Sequence, residues 1–282
     1  MTAPHVVNHV YAQPSPPLDA FIEFLWAADA YPAQSPRERI LPSGAPALVV
    51  HLEAAPLRVF ADERASEPAV TSGAFLCGAR QTPLVIGTAL GATVGVHFKP
   101  GGARPFFDIP AGAIAEQTVP LEALWGASAL SLRERLLDAH APVERVRILE
   151  ACLRARAHRA LELSPMLSLS FAAFAEPDLV SVAEVNRRTG LSPKRLLALF
   201  RDEVGLSPKA FWRVRRFRAA LHDLDRGALR GAALAHEHGY FDQAHFLREF
   251  RTLAGSSPSA YLAARVLGTD HVSVGAEKRS NP

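Results

Sequence analysis

The spacing of apolar positions changes near the middle of the chain. Through residue 125 they gather in short β-branched runs at 47–52, 57–60 and 93–98, separated by Pro and Gly clusters. That texture predicts strands. Beyond Trp125-Gly126 the spacing becomes helical. Ser131 and Glu134 read as a capping box ahead of Leu132, Leu136 and Leu137, and Pro142 can open a helix carrying Val143, Val146, Leu149 and Leu153. Residues 164–267 read as helical throughout, beginning with a core helix over 166–176. The expected fold class is therefore α+β. A β-rich sensory-type domain (1–126) precedes a helical connector or dimerisation region (127–163), an all-α domain (164–267) and a polar tail expected to be disordered (268–282).

The all-α region contains an internal repeat. Val185-Asn186-x-x-x-Gly190 corresponds to Leu234-Ala235-x-x-x-Gly239 at an offset of 49. One residue is then inserted, and Leu196 and Phe200 meet Phe246 and Phe250 at an offset of 50. Gly205-Leu206-Ser207-Pro208-x-Ala210-Phe211 matches Gly255-Ser256-Ser257-Pro258-x-Ala260-Tyr261 at the same offset. Each copy has the grammar of a helix-turn-helix unit: a short helix, a glycine turn, and a capped second helix. In the first copy Ser181 and Glu184 form a capping box, Gly190 makes the turn, and Ser192-Pro193 opens the second helix; in the second copy Gly239 and Asp242 take the turn and cap.

At about 100° per residue, Leu196, Leu199 and Phe200 fall on the inner side of one second helix, and Phe246 and Phe250 on the inner side of the other. The outer faces define the expected DNA-binding residues. These are Ser192, Lys194, Arg195, Leu197, Ala198 and Arg201 on a recognition helix near 193–203. On a second helix, near 243–252, they are Gln243, Ala244, His245, Leu247, Arg248 and Arg251. Arg can pair bidentately with guanine and Gln with adenine, while Leu or Ala can pack on thymine methyls. Between the units, Phe211, Val214, Phe217, Leu221 and Leu224 make one stripe of a connecting helix, surrounded by Arg213, Arg215, Arg216 and Arg218.

Charge sharpens this reading. Residues 164–267 hold 15 basic against 10 acidic side chains, whereas residues 1–163 hold 14 against 16. The excess positive charge thus lies with the repeat, as phosphate binding requires. Gln81 to Phe98 lacks Asp, Glu, Lys and Arg, but Pro83, Gly87, Gly91 and Gly95 make it two strands and a turn rather than a membrane span. Residues 1–10 show no basic leader before an apolar run, and Cys77 and Cys152 form no CxxC pair, so a cytoplasmic protein is expected.

No catalytic, cofactor-binding or metal-binding residues are assigned. His236 and His238 are two apart on a helix and point in different directions, His97 sits in a strand, and His51-Leu52-Glu53 lacks a second histidine nearby. The Gly95 to Gly102 stretch lacks the GK[ST] of a phosphate loop, and no hydrolase or kinase signature occurs.

The run Gly239-Tyr240-Phe241-Asp242-Gln243-Ala244-His245-Phe246-Leu247-Arg248-Glu249-Phe250, followed by Gly255 and Ser257-Pro258-x-x-Tyr261, resembles the AraC/XylS family of bacterial transcription regulators. The resemblance covers about residues 164–267 and implies two helix-turn-helix units joined by a long helix, binding promoter DNA sequence-specifically. It places base contacts at Lys194, Leu197 and Ala198, and at Gln243, Ala244 and Arg248. Leu197 and Ala198 depart from the polar residues common there, and Asn186 stands where a small apolar residue is usual. The N-terminal part is similar to a β-rich domain found ahead of such modules, through Ile40-Leu41-Pro42-Ser43-Gly44, Gly95 to Gly102 and Val119-Pro120-Leu121-x-x-Leu124-Trp125. The implied partners are duplex DNA, a small-molecule effector and a second copy of the chain. Alternatives are an N-terminal enzyme fused to a DNA-binding module, or a ligand-binding or interaction protein that has lost DNA affinity.

Overall fold

The computed structural model describes residues 9–30, 35–53, 56–87, 91–176, 179, 181–228, 231–265 and 270–274. The strands before the first helix are β1 (His9–Ala12), β2 (Ile22–Ala28), β3 (Arg37–Ile40), β4 (Ala47–His51), β5 (Leu57–Phe60), β6 (Val70–Ser72), β7 (Ala74–Cys77), β8 (Leu84–Gly87), β9 (Thr93–Phe98) and β10 (Thr118–Pro120). They pair antiparallel in two sheets, one ordered β1-β2-β9-β4-β7-β10 and the other including β3-β8-β5-β6. The charge-free stretch from Gln81 to Phe98 supplies β8 and β9, and its residues 88–90 lie outside the described residues.

Helices α1 (Leu121–Trp125), α2 (Ala127–Asp138) and α3 (Pro142–Arg156) follow. Leu132, Leu136, Val146, Leu149 and Leu153 pack in one core with Leu25, Leu48, Leu76, Val94, Val96 and Phe98 of the first sheet. The segment expected as a connector therefore belongs to the N-terminal core. Pro142 opens α3 as expected, but Ser131 and Glu134 do not cap a helix. Gly126, at φ 57°, separates α1 from α2, so α2 begins four residues before Ser131. Val143, one of the apolar positions at helical spacing, is 44% exposed.

The helical region comprises α4 (Pro165–Ala175), α5 (Val182–Thr189), α6 (Pro193–Glu203), α7 (Pro208–Asp225), α8 (Gly231–Glu237), α9 (Gln243–Ala254) and α10 (Pro258–Ala264). The whole apolar stripe of α7 is buried, against Phe200 from α6 and Phe246 and Phe250 from α9. Leu41 and Ala79 of the sheet region share this core.

One expectation is overturned at the C-terminus. Residues 271–273, assigned to a disordered tail, form β11 (His271–Ser273), which pairs antiparallel with the edge strand β3. The His271 imidazole lies 2.8 Å from the buried Glu38 carboxylate, and Arg218 of α7 donates to Asp270 at 2.6 Å. An open sheet edge with a buried acid to satisfy recruits this short segment despite its polar character. The remainder of the assigned tail, 268–269 and 275–282, lies outside the described residues, as do residues 1–8.

Candidate nucleic-acid interface

Both repeats fold as their caps dictate. The Ser181 hydroxyl accepts from the Glu184 amide, starting α5. The Glu184 carboxylate turns instead to Arg187 and Arg188, whose hydrogen bonds hold it down at about 2. Gly190 ends α5 at φ 68°, and the equivalent Gly239 has φ 66°. An L side chain is disfavoured there by about 1 kcal/mol. Space for a Cβ is open at Gly190, so Gly190→Ala should cost about 1 kcal/mol through the backbone alone, measurable by denaturant unfolding. Ser192 caps α6 by accepting from the Arg195 amide, and Asp242 caps α9 by accepting from the His245 amide at 2.6 Å. Each such cap stabilises its helix by about 1 kcal/mol.

The division into inner and outer faces holds for the buried positions and for the exposed polar ones, but not for Leu247 and His245. Leu196, Phe200, Phe246 and Phe250 are buried, and Leu199 is half-buried. Ser192, Lys194, Arg195, Ala198 and Arg201 are exposed on α6 or at its start; Gln243, Ala244, Arg248 and Arg251 are exposed on α9. Leu197 is half-buried, and Leu247 is half-buried against the helical core. Lys194, Arg195, Arg201, Arg248 and Arg251 form no ion pair among the described residues.

The arginines of α7 are different. Arg213 and Arg216 both reach Glu249 at 3.4 Å, and Arg216 also donates to the Gly239 carbonyl at 2.9 Å. The Arg216 guanidinium lies 4.7 Å from both the Trp212 and Tyr240 ring centroids. Arg218 is held by Asp270. These three arginines fasten α7 to its surroundings. His245 is also engaged inside the second unit. Its Nδ1 accepts from the Phe241 amide at 3.3 Å and its Nε2 lies 3.3 Å from the Glu249 carboxylate, an arrangement met by the Nε2–H tautomer. Glu249, buried among these cations, was not singled out by sequence because Arg-Glu-Phe on a helix reads as an ordinary solvated triplet.

The two outer faces differ in their surroundings. The 3-10 turn Ala111–Ala113 lies against the α6 backbone at Arg201, with Arg104 at 3.7 Å from Asp202 and Arg159 at 3.4 Å from Glu203. Ala198 and Arg201 therefore line an open cleft of about 640 Å³, shared with Gln81, Glu116, Asp202 and Ser207. The α9 helix meets the sheet region at its C-terminal end. Arg39 of β3, itself buried, donates to the Ala254 carbonyl at 3.0 Å and pairs with Glu63 at 2.6 Å.

The histidines weighed as metal ligands have other surroundings. His238 pairs with Asp223 at 2.9 Å, and His97 stacks on Phe24 at 5.2 Å, where burial lowers its basicity. No helix of the described residues is long and apolar enough to cross a membrane.

Residues 185–264 match the family described as a helix-turn-helix domain. These residues therefore carry a helix-turn-helix domain. Residues 11–120 match a domain of unknown function, DUF6597. Among solved structures the chain is similar to unsaturated-fatty-acid-bound wild-type ToxT from Vibrio cholerae, at 9% identity and a TM-score of 0.45, covering 93% of this chain and 97% of that one. Another ToxT structure from the same organism aligns at 7% identity and a TM-score of 0.46, covering 90% and 97% of the two chains. No curated protein matches this chain.

Proposed function

We propose that α6 and α9 are the recognition helices of a sequence-specific promoter-binding regulator, reading bases in successive major-groove segments of one duplex. The observation that carries this reading is the contrast among the cations. Five on the outer faces of α6 and α9 are exposed and without ion pairs among the described residues, whereas Arg213, Arg216 and Arg218 of α7 are tied into the fold. Gln243, Ala244 and Arg248 are the base readers of the second unit. Lys194, Leu197 and Ala198 serve the first, with apolar contacts to thymine methyls taking a larger share there. His245 acts by holding the turn rather than by touching bases, and Leu247 contributes its exposed edge.

Arg248→Ala is expected to cost about 1–3 kcal/mol at a contacted guanine and to relax specificity at that base pair. Replacement of a phosphate-binding cation would instead weaken binding to every sequence and flatten its salt dependence. Equal binding of Arg248→Ala and the native protein, to a preferred site and to its scrambled version alike, would remove Arg248 from the contact set.

The N-terminal domain senses a small molecule in this reading. The cleft lined by Gln81 and Glu116 on one side and by Ala198 and Arg201 on the other supports it, because occupancy there would be felt by α6. Leu130, Leu137 and Val143, all large and exposed on α2 and α3, support a dimer contact through these helices.

A further inference from the structure

The inserted residue that shifts the repeat offset from 49 to 50 falls in the turn of the second unit, and the structure shows its consequence. In the first unit a single residue, Leu191, separates Gly190 from the cap Ser192, and it packs against the helical core. In the second unit two residues, Tyr240 and Phe241, separate Gly239 from the cap Asp242. Tyr240 takes the inner place, 4% exposed, with its ring 5.2 Å from Phe246. An apolar residue just before a cap ordinarily packs on the fourth helical residue, which here is Phe246. Tyr240 already fills that contact. Phe241 is left 92% exposed and makes no ring contact among the described residues. It is the most exposed of the large apolar side chains described, and it stands beside Asp242, Gln243 and Ala244 at the N-terminal end of α9.

We propose that Phe241 is a DNA contact of the second unit, its ring lying against the deoxyribose carbons of the strand that passes the N-terminus of α9. This rests on the reading of α9 as a recognition helix. The location carries the choice of occupant. Phe241 belongs to a run of exposed residues, 241 to 244, at the start of α9. It also precedes a helix start where backbone amides approach phosphates, so the adjoining sugar is the apolar surface within reach. The contact removes apolar area from water without pairing charge. It therefore adds affinity that is independent of sequence and of salt, and sets how deeply α9 seats in the groove.

The test uses the full chain, a duplex selected from a random pool by the native protein, and the variants Phe241→Ala and Phe241→Leu, with binding measured over a range of salt. Phe241→Ala should bind about 5- to 30-fold more weakly at every salt concentration. Its log–log salt slope and melting temperature should equal those of the native protein, and Phe241→Leu should recover most of the loss. Binding of Phe241→Ala within twofold of native overturns the proposal, including the case in which transcription is lost while DNA affinity is kept, which would assign the ring to a protein partner. A lowered melting temperature overturns it in favour of a structural role. Failure of the native protein to select any duplex overturns the recognition-helix reading itself, and this contact with it.

Discussion

Glu249→Ala is expected to destabilise the helical region by about 3 kcal/mol, the largest effect of any single polar substitution considered for it. The Glu249 side chain is 7% exposed and is approached by Arg213 and Arg216 from α7 and by His245 from its own helix. Removing the carboxylate leaves two guanidiniums facing each other without a counter-charge, and it also frees the imidazole that holds the Phe241 amide. Arg213 and His245 keep partial access to water, with side chains 31% and 36% exposed, which places the cost near the lower end of the range for broken buried pairs. Glu249→Gln keeps the shape and one acceptor and should lose less. Denaturant unfolding of both variants checks the ordering. A Glu249→Ala variant within 0.5 kcal/mol, approximately the error of such comparisons, would mean that the cluster does not fasten α7 to α9.

The second large effect is expected across the two halves of the molecule. Arg39→Ala removes a buried guanidinium that donates to the Ala254 carbonyl at the end of α9 and pairs with Glu63. The Ala254 carbonyl then loses a charged donor in a place where the residue is fully buried, and the negative end of the helix loses a compensating charge. A loss of about 2 kcal/mol follows, together with faster amide hydrogen exchange near the C-terminal turn of α9. Arg39→Lys recovers little, because one ammonium cannot reproduce the two contacts of the fork. Unchanged exchange at that turn would show that the sheet region does not brace α9.

Much of the helical region is legible in the sequence because its signals are local. Ser192-Pro193 starts a helix where expected, the repeat landmarks Ser207-Pro208 and Ser257-Pro258 start helices by the same cap, and the glycines after α5 and α8 turn the chain at positive φ. The strands β5 and β9 match the β-branched runs residue for residue. Two kinds of feature are not legible. One is a local pattern overridden by a neighbour, as when Gly126 starts α2 ahead of the apparent cap at Ser131. The other is a pairing between residues far apart in sequence. The contacts of Arg39 with Ala254, of Glu38 with His271, and of the 111–113 turn with α6 carry no local signature. Of the expected interface, outward direction was readable from helical period, but partnership was not. Only the fold separates exposed Arg248 from half-buried His245, three residues earlier and held against Glu249. The insertion that exposes Phe241 was visible in the repeat, though its effect needed the position of Tyr240.

Selection of duplexes from a random pool by the full chain tests the central claim most directly. Two recognition helices reading one duplex should enrich a bipartite motif whose halves lie about one helical turn, ~10 base pairs, apart, with the half read by α9 the more sharply defined. Recovery of sequences indistinguishable from the starting pool would contradict the account.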